Sequence, residues 1–442
     1  MPTNNPSADT VIHARHVIPV RPAGVLEHHA VAVRAGRIVA LLPATDARAR
    51  YPDAQHVELN GHALIPGLVN LHTHAAMSLM RGLADDLPLM EWLTRHIWPA
   101  EAQHVSSGFV ADGTLLACAE MLRGGVTCFN DMYFFPEEAG RAALAAGMRA
   151  ALGIICIEFP TVYASDPQDY LHKGFAMRDA LKHESLLSFC MAPHAPYTVS
   201  DASFERIVTY AEELQLPIHV HLHETRDEIN ASQAKFGVRP LARMQRLGVV
   251  GPGLLAVHAA HLDPAEIELL RAAGSHVAHC PSSNLKLASG VAPLTALRAA
   301  GVNVGLGTDG AASNNRLDLF EEMRTAALVA KGMSGNPTVI PAEDVLAMAT
   351  LGGARALGLD AHIGSIEPGK WADLTAVNLA ALELSPCYHP VSHLVYAAGR
   401  RDVSHVWVAG RPLLEDGRLT TLDVDELRAR AASWEQRIRQ QA

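Results

Sequence analysis

LIPGLVNLHTH, residues 64–74, is the stretch on which the fold is decided. Its apolar run from Leu64 to Val69 gives way to an alternation that puts Asn70, His72 and His74 on one face and Leu71 and Thr73 on the other. Such a run suits a strand buried on both faces, as in a parallel sheet covered by helices. Two imidazoles then stand together at its carboxyl end, where burial gains them nothing unless they are paired or bound.

Similar stretches recur down the chain at 126–133, 150–159, 186–194, 217–224, 254–261, 276–281 and 302–309, which with 64–74 makes eight strand candidates. Between them lie segments such as 106–124, 136–147, 201–214, 238–248, 263–274 and 291–301, with apolar residues at three- and four-residue spacing and mostly ending in glycine, as capped helices do. Eightfold strand–helix alternation predicts an α/β fold, a (β/α)8 TIM-type barrel over residues 64–364. The ends read differently. Short strands at 11–20, 28–42, 55–59, 374–378 and 403–414 carry turn signals such as Ala35-Gly36 and Asp416-Gly417. They predict a small β-sandwich domain built from residues 1–63 and 365–420, followed by a polar C-terminal helix within 421–442.

Composition narrows the partners. The 442 residues are 49% hydrophobic with a net charge of −10, and no Lys/Arg cluster tracks a phosphate backbone, so nucleic acid is not expected. The opening MPTNNPSADT is polar and no segment approaches the ~20 apolar residues of a membrane span, so a cytoplasmic protein without membrane contact is expected. Six cysteines lie scattered in apolar surroundings, as reduced core thiols do. The anomaly is 24 histidines.

Barrel chemistry sits at the carboxyl ends of the strands, and there the histidines gather. The successive ends carry His72 and His74, then His194, then His219, His221 and His223, then His258 and His261, then His279, and finally Asp309. Any one alone reads as structural, and Asp309-Gly310 alone as a turn. Converging on one mouth, they point to a metal site. Nitrogen donors with one carboxylate suit Zn²⁺ or Fe²⁺ better than Mg²⁺ or Ca²⁺. A catalytic zinc keeps a position open for water and lowers its pKa to ~7. Spacing does not choose among His219, His221 and His223.

The stretches PGLVNLHTH, HLHET (221–225), the strand of His258 and LGTDGAASNN (306–315) together resemble the amidohydrolase superfamily, in its chlorohydrolase/aminohydrolase branch of metal-dependent deaminases. The likeness extends over nearly the whole chain. It is nearest to deaminases of 5′-methylthioadenosine and S-adenosylhomocysteine, through MSLMRGLADDLPLMEWL (77–93), MAPHAPYTVS (191–200) and HCPSSNLKLASGVAP (279–293). The resemblance implies that His72, His74, His221 and Asp309 bind one divalent metal ion per subunit, zinc or iron. It makes Glu224 the proton shuttle, His258 the imidazole that orients the attacking hydroxide, and His194 a contact to the purine. Trp92 and Glu101 match positions that pack on the nucleoside and hold its ribose hydroxyls. His223 matches no ligand. No lysine lies near the end of the third or fourth strand, where binuclear relatives carry a metal-bridging one, so a single ion is expected.

The implied activity is hydrolytic removal of the 6-amino group of an adenine nucleoside, giving the inosine analogue and ammonia. Its chemistry asks for hydroxide at C6, a proton on N1 and a proton for the leaving ammonia. Glu224 can serve as base and then acid, Asp309 can return a proton to the amine, and His258 can stabilise the adduct by roughly 3 kcal/mol. The loop 160–169 has no arginine and two aspartates, which favours a neutral thioether such as methylthioadenosine over S-adenosylhomocysteine or its carboxylate-bearing kin. Alternatives are adenosine, guanine or an oxidised purine, a triazine losing chloride or amine, and a non-enzymatic scaffold that has kept the fold. A homodimer is expected by analogy with the branch.

Overall fold

The strand expected over 64–74 is in fact two strands in two sheets. In the computed structural model, which describes residues 7–441, one sheet is built from both ends of the chain and the other is the barrel. The first sheet contains β1 (Thr10–Val17), β2 (Leu26–Arg34), β3 (Arg37–Pro43) and β4 (Gln55–Pro66) from the N-terminal side. The barrel follows with β5 (Leu68–Thr73), β6 (Val126–Asp131), β7 (Arg149–Cys156), β8 (Leu187–Pro193), β9 (Ile218–Leu222), β10 (Leu254–His258), β11 (His276–His279) and β12 (Asn303–Leu306). The chain then returns to the first sheet with β13 (Leu374–Asn378), β14 (Val403–Val408), β15 (Arg411–Glu415) and β16 (Arg418–Leu419). Residues 1–6 and 442, which the expected terminal units include, lie outside the described residues.

The terminal sheet is a single hydrogen-bonded sheet of eight strands in which β4 joins the two halves, parallel to β1 and antiparallel to β13. Leu64, Ile65 and Pro66 pair there with Ala376, Thr375 and Leu374. One residue later the chain enters the barrel. That residue is Gly67, whose amide donates to the Asp373 carbonyl (2.8 Å). A Cβ on Gly67 would stand 2.1 Å from the Thr127 hydroxyl oxygen, so only glycine lets the chain cross between sheets at this point. Both sides of the crossing are fully buried, which is why its apolar run gave no sign of the break. Gly67→Ala is expected to destabilise the chain by roughly 1–3 kcal/mol through overpacking. The measurement is the urea unfolding midpoint, and an unshifted midpoint would mean that Thr127 yields freely.

Barrel strands β5 to β12 are consecutive and parallel. The two end strands are tied across the closing edge by Asn70, a member of the opening alternation. Its side-chain amide donates to the Thr308 hydroxyl (2.8 Å) and accepts from the Thr308 backbone N–H (2.9 Å), while the Asp309 N–H donates to the His72 carbonyl (2.9 Å). Gly307 makes that approach possible, since a Cβ there would lie 2.8 Å from the His72 nitrogen. Closure therefore brings the ends of β5 and β12, and with them His72 and Asp309, into register.

The strands are shorter at their carboxyl ends than the sequence suggests. The chain leaves the extended conformation just where the chemically interesting residues begin: His223 (φ 56°), His258 (70°), Ala259 (49°) and Asp309 (63°) all lie in the left-handed region. Non-glycine residues held there cost roughly 1–3 kcal/mol each and persist only where the surroundings over-determine them. All six cysteines are free, and among the described residues no single helix is long and apolar enough to cross a membrane.

Candidate active site

The donor atoms of His72, His74 and His221 lie within 4.8 Å of one another, and so do those of His72, His258 and Asp309. β5 supplies His72 and is followed directly by His74, β9 supplies His221, β10 ends in His258, and Asp309 follows β12. Asp309 Oδ1 is 3.3 Å from Nε2 of both His72 and His74. The other oxygen of Asp309, Oδ2, accepts from the hydroxyls of Ser283 (2.6 Å) and Ser313 (2.8 Å). Oδ1, which faces the imidazoles, also accepts from the Gly310 N–H (2.8 Å), so both oxygens are held in place.

Backbone carbonyls set two of the rings. His74 Nδ1 donates to the Met132 carbonyl and His221 Nδ1 to the His194 carbonyl, both at 2.6 Å, so each ring, when neutral, offers its lone pair at Nε2. His258 Nδ1 donates to Asn284 Oδ1 (2.8 Å), again freeing Nε2. His72 Nε2 is buried and has no hydrogen-bond partner within good geometry. Convergent lone pairs, a carboxylate and an orphaned buried nitrogen are a donor set that a divalent cation would complete.

The electrostatics agree. Burial opposes charge on His74, yet the hydrogen bond and charge of Asp309 outweigh it and raise its pKa to about 9. Burial likewise penalises the Asp309 carboxylate, but His72 and His74 hold it well below the usual range. His72 falls to about 4 and His194 to about 3, in both cases first by burial. Asp309 therefore draws one positive charge to His74, while burial keeps His72, His194 and His221 neutral, the state in which imidazole ligates metal.

Sequence left His219, His221 and His223 unresolved, and the structure separates them. Only His221 joins the donor cluster. His219 lies beneath it, with Nε2 2.9 Å from His72 Nδ1. His223 turns away because its backbone leaves the strand conformation; Nε2 accepts from the Leu241 N–H (3.0 Å) and Nδ1 donates to the His261 carbonyl (3.3 Å). His279 is buried outside the cluster.

A cavity of about 320 Å³ opens over the donors. His74, Trp92, Glu101, His194, His221, Glu224, His258 and Asp309 line it, with His72 fully buried beneath. Its remaining wall is largely apolar and aromatic, and among the described residues no lysine or arginine lines it. Trp92 and Glu101 are about two and a half turns apart, which on an uninterrupted α-helix would put them on opposite faces. A π-helical turn, Leu93–Ile97, lies between Leu89–Trp92 and Trp98–His104 and changes that phase, so both reach the cavity. Glu101 accepts from the Tyr133 hydroxyl (2.8 Å), and burial raises its pKa to about 7 against that hydrogen bond. Glu224 is raised too, first by burial; its carboxylate accepts from the Ser289 hydroxyl (3.3 Å) and lies 3.8 Å from His258 Nε2. Both oxygens of Glu228 accept from the strand end, from the backbone N–H of His223 (3.0 Å) and of Glu224 (2.8 Å).

The supporting residues Ser283, Asn284, Ser289, Ser313, Tyr133 and Glu228 were not singled out from the sequence. Three of them sit in the run 279–293, which after β11 folds back over the mouth, and no periodicity announces that return. A second trio, His13, His56 and Glu58, lies in the terminal sheet, where most of its donors are paired locally and His13 Nδ1 is buried without a partner. His13 Nε2 and His56 Nδ1 are hydrogen-bonded at 2.7 Å, His56 Nε2 meets the Tyr51 carbonyl (3.0 Å), and Glu58 pairs with Arg48 (2.6 Å).

Comparison with known proteins places this geometry. The model of the amidohydrolase family matches residues 63–413. The chain is 48% identical over 440 residues, 99% of each chain, to a 5-methylthioadenosine/S-adenosylhomocysteine deaminase of Saccharophagus degradans. It is 46% identical over 437 residues, again 99% of each, to the protein of that name from Teredinibacter turnerae. Among solved structures, an adenosine deaminase from Xanthomonas campestris with bound zinc superposes with a TM-score of 0.97 at 51% identity, over 98% of this chain and 99% of that one. A zinc-complexed atrazine chlorohydrolase from Arthrobacter aurescens shares the fold at a TM-score of 0.90 and 22% identity, over 96% of this chain and 99% of that one. A family match through barrel and terminal sheet, and near-half identity from end to end, leave one assignment: this chain belongs to the amidohydrolase family.

Proposed function

We propose that the chain is a metal-dependent deaminase of adenine nucleosides, acting on 5′-methylthioadenosine in preference to S-adenosylhomocysteine. The observation that carries this reading is the cavity itself: metal donors at its floor, Glu224 and His258 beside them, Glu101 on an aromatic wall, and, among the described residues, no lysine or arginine on its lining. The names of the relatives and the zinc of the Xanthomonas campestris structure support it.

His72, His74, His221 and Asp309 would hold one ion, and three nitrogens with one carboxylate oxygen suit zinc, with ferrous iron the alternative. Bound there, the ion would turn a water into hydroxide at neutral pH, the nucleophile that C6 of an aminopurine needs. The protein's own groups then move two protons. Burial raises the pKa of Glu224, and its carboxylate can take the first proton from the water and deliver it to N1. Asp309 Oδ1 accepts the second proton and passes it to the amine, which leaves as ammonia. His258 has its Nδ1 committed to Asn284, and its Nε2 is free to orient the nucleophile. His194, its Nδ1 2.9 Å from the Thr198 hydroxyl, presents its other edge to the base.

Farther up the wall, Trp92 packs on the nucleoside and Glu101 engages the ribose diol. The indole is fixed by its own N–H donating to the Ala84 carbonyl (3.1 Å). An aromatic, uncharged rim accommodates a methylthio group, whereas a homocysteine tail would bury a carboxylate without a partner, at a cost of several kcal/mol. Absorbance-monitored deamination of adenosine, methylthioadenosine, S-adenosylhomocysteine, guanine and a chlorotriazine tests the reading. Methylthioadenosine is expected to have the highest kcat/KM, and a higher value for guanine or the triazine would overturn it. Glu101→Ala is expected to lower kcat/KM for nucleosides by roughly 10- to 100-fold, the cost of one or two charge-assisted hydrogen bonds, and to leave free bases near the parent value. Equal losses on both would remove Glu101 from the ribose.

A further inference from the structure

We infer that His219 is a positioning residue for metal binding, because its Nε2 is the acceptor that the His72 Nδ1–H requires when His72 Nε2 serves as a donor. The inference rests on the reading that His72, His74, His221 and Asp309 hold a divalent ion.

A neutral imidazole carries its proton on one nitrogen only. A ring that offers a lone pair at Nε2 must keep its proton on Nδ1 and find an acceptor there. His74 and His221 find backbone carbonyls, which can only accept, so their tautomers are fixed unconditionally. His72 has no carbonyl. Its Nδ1 meets the Nε2 of His219 at 2.9 Å, and both rings are completely buried. An imidazole can accept or donate, so the donor character of His72 depends on the proton of its neighbour.

Two arrangements of the pair are possible, with the same two protons. In one, His219 carries its proton on Nε2 and donates to His72 Nδ1; the His72 proton then sits on Nε2, on the side of Asp309 Oδ1 3.3 Å away, and the metal donor is lost. In the other, His72 donates from Nδ1 into the His219 Nε2 lone pair, the His219 proton sits on Nδ1, and His72 Nε2 is free. Asn130 Nδ2, which donates to the Leu71 carbonyl (3.0 Å), also lies 3.3 Å from His219 Nδ1, a long contact that belongs to the first arrangement and is given up in the second. The switch consumes no proton from solvent, which suits a pair that water does not reach. His219 thus does for His72 what backbone carbonyls do for the other two ligands. Replacing such a partner of a metal-ligating histidine typically costs 10- to 100-fold in metal affinity.

The test uses the zinc-loaded full-length chain and follows transfer of its zinc to a chromophoric chelator. His219→Leu removes the acceptor, whereas His219→Gln can place an amide oxygen near the former Nε2. His219→Leu is expected to release zinc roughly 10- to 100-fold faster than the parent, and His219→Gln within a few-fold of it, with unfolding midpoints recorded for both. Parent-like release from His219→Leu overturns the inference alone; a parent chain that retains no zinc overturns the metal reading and the inference with it. Imidazole ¹⁵N shifts of the zinc-loaded parent give an answer that needs no variant. A proton on His72 Nδ1 and none on His219 Nε2 is the expected signature, and a protonated His219 Nε2 contradicts it.

Discussion

Glu224→Gln is expected to cut kcat by roughly 10²- to 10⁴-fold while the chain keeps its fold and its metal. The substitution is isosteric. The Ser289 hydroxyl can still donate to the remaining oxygen, and the backbone N–H of residue 224 still donates to Glu228, so the side chain stays where it is. Glu224 is not among the clustered donors, so metal retention should be that of the parent. What the amide lacks is the capacity to take a proton from water and hand it to a ring nitrogen. The loss should therefore fall on kcat, with KM for methylthioadenosine nearly unchanged. Steady-state rates alongside metal content measure both halves, and near-parent turnover would remove Glu224 from proton transfer.

Asp309→Asn should do more damage, because it removes two functions together. The carboxylate oxygen that faces His72 and His74 is the sole negative donor in the cluster, and the same oxygen is the one placed to return a proton to the amine. With the charge gone, the cause of the raised His74 pKa goes too, and a cation in the cluster would face three imidazoles with nothing to neutralise it. Ser283 and Ser313 can still donate to an amide oxygen, so the side chain should remain in place. Activity is expected to fall by at least the roughly 10²- to 10⁴-fold of a lost proton-transfer group, with metal lost on desalting as well. A variant that kept both its metal and most of its turnover would show that Asp309 is neither ligand nor acid.

Much of this architecture is legible in the chain, for a physical reason. Strands buried on both faces write themselves as apolar runs, and a barrel's chemistry sits where those runs end, so the list from His72 to Asp309 could be read before any geometry was known. What could not be read depends on where the chain stops being regular. The crossing at Gly67 is hidden because both flanking strands are buried, and a clash with Thr127, sixty residues on, decides it. The sorting of His219, His221 and His223 turns on one positive φ at His223, which strand alternation does not encode. Trp92 and Glu101 share a cavity only through the π-helical turn between them. The lack of lysine and arginine on that cavity's lining, among the described residues, is a property of many segments brought together, of which the arginine-free loop 160–169 was the one visible part.

The central claim is that three imidazoles and one aspartate at the barrel mouth hold a single catalytic cation. Metal analysis of the purified full-length chain, with deamination assayed on the same sample before and after chelation, tests it most directly. About one zinc or iron per chain is expected, with activity lost on chelation and restored by Zn²⁺. A chain that binds no metal after supplementation, or that deaminates at an undiminished rate once stripped, would contradict it.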